Sequence, residues 1–232
     1  MNAPAARLLP PLRRHRHLLL FVALLATISI GPLLEAMDFG HHFMEAFLAV
    51  SLLAAVVPTA LRSQRYAMYA LIVAAMGLRW ISTHYASPTV SLAGALLWSA
   101  IAVVAAVRCV RYALTGGRVD SERLCAALSA YLLLGVCWGV VYAAMVLIHP
   151  NALLVGGAPP ERPLTLADSI YFSFVTLATL GYGDLTPTGP VTRGLAVFEA
   201  IVGQLYLAIL VARLVGLQIA AHPLTHPTRE PP

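Results

Sequence analysis

Residues Thr165 to Pro187 read TLADSIYFSFVTLATLGYGDLTP, and this stretch decides how the rest of the chain is read. Thr165 with Asp168 three residues on forms a capping-box pattern, and Leu166 to Ala178 contains neither proline nor glycine. A helix over that run, at about 1.5 Å per residue, is roughly 20 Å long and falls short of a hydrocarbon core of about 30 Å. It therefore enters a membrane and stops partway. After it comes Thr179-Leu180-Gly181-Tyr182-Gly183-Asp184, in which Gly181 and Gly183 are the points where the backbone can take positive φ without steric cost.

Composition supports a membrane setting. With 59% hydrophobic and 11% charged residues and a mean hydropathy of +0.80, the chain has too little polar surface for a soluble globule. Its 15 basic residues are all arginine and the net charge is +5. Their positions between apolar runs read as membrane topology, and no nucleic-acid partner is implied. Arginine-only, alanine-rich usage points to a bacterial source. Cys109, Cys125 and Cys137 have no metal-ligand spacing and read as buried free thiols.

In chain order, residues 1–17 form a basic, proline-bearing cytoplasmic tail. A signal peptide is the alternative, but Leu18 to Leu34 lacks a clear cleavage site and reads as a retained first span. Further spans are expected at about Phe43–Leu61, Tyr66–Ser82, Thr89–Val107, Leu124–Ile148 and Val191–Ile219, with a glycine- and proline-rich turret over Asn151–Pro163. The domain reading is a four-helix membrane domain over residues 18–112, a pore domain over residues 122–220 and a short cytoplasmic tail over residues 221–232. With both termini inside, only Arg79, Arg162 and Arg193 fall on the outer side, as the positive-inside rule requires.

The segment Thr176-Leu-Ala-Thr179-Leu180-Gly181-Tyr182-Gly183-Asp184 resembles the potassium-channel signature T-x-x-T-x-G-Y-G-D at every fixed position. The resemblance is close over roughly Leu124 to Ile219. It implies an all-α integral membrane fold of six transmembrane helices plus a re-entrant pore helix and filter loop, assembled as a homotetramer in the cell membrane. It also implies that the carbonyls of Thr179, Leu180, Gly181, Tyr182 and Gly183, with the Thr179 hydroxyl, replace the hydration shell of potassium ions. Potassium is then a permeant ligand, and no cofactor is expected. Leu180 stands where valine is more usual, a change that bears on packing. Thr176 and Asp184 support the filter, Tyr182 braces it from behind, and Asp184 draws cations to the outer mouth. Tyr171 and Phe172 match positions that are aromatic in many relatives and imply a cuff around the filter. Val175 occupies a position that is an acid or valine in relatives, so no carboxyl pair with Asp184 forms there.

The first four spans bear on gating. In voltage-gated relatives the fourth span carries arginine every third residue. Here TVSLAGALLWSAIAVVAAV is uncharged, and Arg108 and Arg111 come only at its end. One charge crossing the field is worth about 2.3 kcal/mol per 100 mV, so steep voltage dependence needs several charges inside the membrane. The expectation is a voltage-independent potassium channel. The rivals are a voltage-gated potassium channel, a membrane subunit of a potassium transporter, which would carry four degenerate pore repeats, and an intramembrane enzyme, for which no nucleophile or paired acids are seen.

Other residues carry two readings each. His41 and His42, near Glu35, Asp38 and Glu45, are a metal or proton site or simply a solvated acidic loop. Glu199, a carboxylate within the sixth span, is a buried brace for the filter or a protonation-sensitive control of it. Gly203 is a gate hinge or a close-packing device, and Gly216 lies further towards the inner end.

Overall fold

The computed structural model describes residues 16–36, 69–78, 81, 88–115 and 120–221. The described elements are α1 (Arg16–Ala36), α2 (Tyr69–Leu78), α3 (Pro88–Leu114), α4 (Ser121–Ile148), β1 (Leu153–Val155), α5 (Leu166–Leu177), β2 (Leu185–Pro187) and α6 (Pro190–Ala221). The chain is mostly helical. Thr89–Leu114, Ser121–Ile148 and Pro190–Leu217, at 26, 28 and 28 residues, are long and apolar enough to cross a membrane. At about 1.5 Å per residue each exceeds a core of about 30 Å.

Helix boundaries follow local chemistry. Pro88 and Pro190 open α3 and α6, where a missing N–H and a fixed φ cost nothing. Asp120 caps α4 by accepting the Arg123 N–H at 2.9 Å. At the other end of α4, His149 turns extended (φ −131°, ψ 92°) because Pro150 disfavours helix in the residue before it.

The segment expected as the first span is helical as α1, with a shorter apolar run over His17–Ile30. The span expected over Phe43–Leu61 lies outside the described residues, and that over Tyr66–Ser82 is described as α2 together with Ile81. The fourth runs on past Val107 to Leu114, so Arg108 and Arg111 are part of α3.

The core lies where helices from both halves of the chain converge. Leu20 and Leu24 of α1, Ile72 and Ala75 of α2, Ile101, Ala105 and Cys109 of α3, and Ala130 and Leu133 of α4 form one buried cluster, with Tyr206 of α6 against it. Small residues let these backbones approach closely, which drives helix association where lipid competes for apolar contact. α3 packs along α4 of its own chain, across the short connector between Leu114 and Ser121. The C-terminal end of α3 is held by Arg123 donating to the Thr115 carbonyl and Arg213 of α6 donating to the Leu114 carbonyl.

The purely helical reading needs one correction. β1 and β2 pair antiparallel with Leu153 opposite Pro187 and Val155 opposite Leu185. Gly156 N–H donates to the Asp184 carbonyl at 2.8 Å and Thr188 N–H to the Ala152 carbonyl at 2.9 Å. The turret is thereby tied to the chain leaving the glycine loop. Strands of three residues leave too short a pattern to read in sequence.

Candidate functional site: the re-entrant helix and its glycine loop

The site begins with the cap on α5. Thr165 Oγ1 accepts the Asp168 N–H at 3.2 Å, and Asp168 Oδ2 accepts the Thr165 N–H at 2.8 Å, which closes the capping box. Arg162 grips the same carboxylate with two bonds of 2.8 and 3.0 Å. Burial pushes the Asp168 carboxyl up, but the Arg162 guanidinium and the Thr165 N–H outweigh it and hold the group below its ordinary value.

α5 is seated so tightly that its neighbours have no room for side chains. A Cβ on Gly139 of α4 would lie 2.5 Å from Ile170 Cγ1, and one on Gly135 would lie 2.6 Å from the Phe174 ring. On α6, a Cβ on Gly203 would lie 2.7 Å from both Leu177 Cδ1 and the Leu177 carbonyl oxygen. Gly203 is thus a close-packing position in an unbroken helix. Gly216 meets open space.

Past α5 the backbone alternates. Thr179, Gly181 and Gly183 have φ of 56°, 57° and 80°, while Leu180 and Tyr182 between them keep negative φ. In an ordinary strand successive carbonyls point to opposite sides; reversing the sign of φ at every second residue brings them towards one side. The N–H groups of Leu180 and Gly181 both turn back to the Val175 carbonyl, at 2.9 and 3.3 Å, and Thr179 N–H donates to the Thr176 carbonyl at 3.0 Å. Residues 178–184 are exposed in the single chain, and nothing lies within 4 Å of a Cβ built on Gly181 or Gly183. The loop is open on this side, and its alternating φ is the pattern that lets carbonyls line one edge.

Thr179 was not anticipated as a positive-φ residue. A β-branched side chain there is strained by about 1–3 kcal/mol, a cost that clusters at functional sites. Val175, which supplies no carboxyl, supplies instead the carbonyl that the N–H groups of Leu180 and Gly181 share.

The aromatic pair divides its work. Tyr171 donates to Asp184 Oδ2 at 2.7 Å, so it does face the loop. Phe172 points the other way, buried edge-on against Tyr142 with centroids 4.8 Å apart, in a cluster with Leu153. Of the two residues for which the resemblance implies a cuff, Tyr171 is the one in contact with the loop among the described residues. Tyr182 is exposed.

Glu199 is fully buried on α6. Tyr142 Oη donates to its Oε2 at 2.8 Å, and Ser173 Oγ lies 2.5 Å from its Oε1 and 2.7 Å from the Gly135 carbonyl oxygen. Sequence reading singled out Glu199 but missed both hydroxyl partners, since an isolated Tyr in α4 or Ser in α5 carries no local signal. His41 and His42 lie outside the described residues. Among the described residues no group of three metal-ligating side chains occurs; Cys109 is buried, Cys125 and Cys137 are only half-buried, and none of the three is in a disulfide.

Residues 126–217, from α4 through the loop to α6, match the family described as "Ion channel". The chain is similar to Protein LctB of Bacillus caldotenax, 47% identical over 58 residues, which is 25% of this chain and 42% of that one. It is similar to Two pore potassium channel c of Oryza sativa subsp. japonica, 33% identical over 106 residues (45% of this chain, 21% of that one). It is also similar to the Inward rectifier potassium channel Kirbac3.1 of Paramagnetospirillum magnetotacticum, 35% identical over 79 residues (34% and 24%). The chain thus spans less than half the length of these relatives. No solved structure matches it. Residues 126–217 are thus similar to an ion-channel domain, in a chain with three helices long and apolar enough to cross a membrane among the described residues.

Proposed function

We propose that this chain is one subunit of a homotetrameric, potassium-selective channel that passes ions down their gradient, without voltage gating. The observation that carries the reading is the alternation of φ at Thr179, Gly181 and Gly183, which aims a run of backbone carbonyls at one open side. Oxygen dipoles so aligned can replace the hydration shell of a cation of fitting size. The exposure of residues 178–184 supports assembly, because a carbonyl edge inside a membrane must be closed off by further copies around an axis. The similarity of part of the chain to two proteins named as potassium channels supports the choice of ion.

Voltage independence rests on α3, whose stretch from Thr89 to Val107 carries no charge. The arginine distribution supports cytoplasmic termini, and the composition a bacterial plasma membrane. An ion-conducting role needs no enzymatic chemistry and no cofactor beyond the permeant ion.

The test is bilayer recording of the reconstituted chain under opposed potassium and sodium gradients. The reversal potential should follow potassium. Gly181→Ala or Gly183→Ala should abolish the preference: the space beside each is open, so the cost is conformational, about 1–2 kcal/mol per copy, repeated in every subunit. Equal reversal potentials for the two ions in the wild type would sink the reading.

A further inference from the structure

Glu199 raises a question of proton count. Its carboxyl is fully buried, and no cation pairs with it among the described residues. From α4 the titratable groups facing it are Tyr142, which bonds it, and Tyr131 and Cys137, which lie near enough to feel its charge. From α5 its contact is Ser173, which does not titrate. On α6 the nearest guanidinium in sequence, Arg193, donates to the Pro187 carbonyl instead.

The hydroxyl of Ser173 has one proton and two oxygens within bonding distance, Glu199 Oε1 at 2.5 Å and the Gly135 carbonyl at 2.7 Å. A carbonyl and a carboxylate only accept. With Glu199 ionised, Ser173 satisfies one neighbour and leaves its oxygen pressed against the other with no proton between them. A proton on Glu199 Oε1 removes the conflict. Tyr142 then donates to Oε2, Glu199 donates to Ser173, and Ser173 donates to the Gly135 carbonyl. The same proton removes an unpaired charge from the interior of the membrane, where it is costly.

We propose that Glu199 is held as the neutral acid and acts as a positioning residue for the filter, its proton completing a chain that joins α4, α6 and α5. The chain reaches α5 at Ser173, two residues before Val175, whose carbonyl holds the N–H groups of Leu180 and Gly181. Its role in positioning a filter rests on the channel reading above; the protonation itself does not.

The test pairs infrared spectroscopy with recording on the full-length, reconstituted chain. At neutral pH the wild type should show a protonated-carboxyl C=O band that Glu199→Gln lacks. That variant can donate from its amide to Ser173 and accept from Tyr142, so it should keep wild-type ion preference. Wild-type conductance should fall as the pH is raised and the proton leaves, while Glu199→Gln should stay flat. If Glu199→Gln does not assemble, Ser173→Ala, which removes the acceptor of the carboxyl proton, should shift the wild-type band. Absence of the band in the wild type, an unshifted band in Ser173→Ala, or alkaline sensitivity surviving in Glu199→Gln would overturn the proposal. A band present in a wild type that shows no potassium preference would overturn the channel reading while supporting the protonation.

Discussion

Tyr171, on α5, donates its hydroxyl to Asp184 Oδ2 at 2.7 Å, and so fastens the far end of the glycine loop to the helix that precedes it. Asp184 is fastened on its other side by its carbonyl, which accepts Gly156 N–H from the turret. The loop is thus anchored at its start by Val175 and at its end by Tyr171. Tyr171→Phe removes one bond to a charged acceptor, worth about 1.5 kcal/mol or less at this exposed position. The expected result is a potassium current that decays faster during sustained opening, with selectivity retained. Current decay indistinguishable from wild type would show that the bond does not hold the loop.

Gly203 is assigned to packing, with Leu177 directly against it. Gly203→Ala places a methyl within 2.7 Å of Leu177 Cδ1 and of its backbone oxygen, an overpacking cost of about 1–3 kcal/mol. Because Leu177 closes α5 immediately before the filter, potassium-over-sodium selectivity and tetramer yield should both fall, with partial recovery in Gly203→Ala/Leu177→Ala. A hinge would give altered opening with selectivity intact, and that outcome in reversal-potential and open-probability measurements would reverse the assignment.

Acid should loosen the cap of α5. Asp168 is held below its ordinary value near 3.8 despite partial burial, so its contribution to stability is complete above that value and is lost as pH falls through the lower, folded-state value. Solvent around Arg162 limits the effect to about 1 kcal/mol or less per copy. Thermal melts of the assembly should fall off below about pH 4 in the wild type. In Asp168→Asn they should start lower and fall less. Identical acid profiles in the two proteins would remove the carboxylate from the account.

Arg108 and Arg111 lie in the last turns of α3, beyond an uncharged stretch. If that end stays at the membrane rim, each crosses a small fraction of the field, and their joint work is a fraction of about 2.3 kcal/mol per 100 mV. Arg108→Gln with Arg111→Gln should leave a shallow conductance–voltage curve nearly unchanged, at some cost in expression through a weaker topology signal. A steep curve that flattens in the double variant would put these arginines in the moving field.

Much of the site was legible because its signals are local. The capping box at Thr165 and Asp168 needs only four neighbouring residues, and glycine at 181 and 183 marks positive φ by its own lack of a Cβ. The half-length of α5 follows from a count against membrane thickness. Apolar length alone identified α3, α4 and α6 as membrane-crossing. None of these requires knowing what the segment packs against.

Tertiary structure decided everything that depends on a partner distant in sequence. Leu153 pairing with Pro187, Tyr142 and Ser173 meeting at Glu199, Phe172 turning away from the loop while Tyr171 turns towards it, and Leu177 filling the space beside Gly203 all follow from how helices cross. Sequence periodicity is the same for either crossing, so the contact of Leu177 with Gly203 could be read only from the structure. Thr179 shows the limit most sharply: its β-branched side chain argues locally against positive φ, and only the anchoring of Thr179 N–H, Leu180 N–H and Gly181 N–H to the end of α5 holds it there.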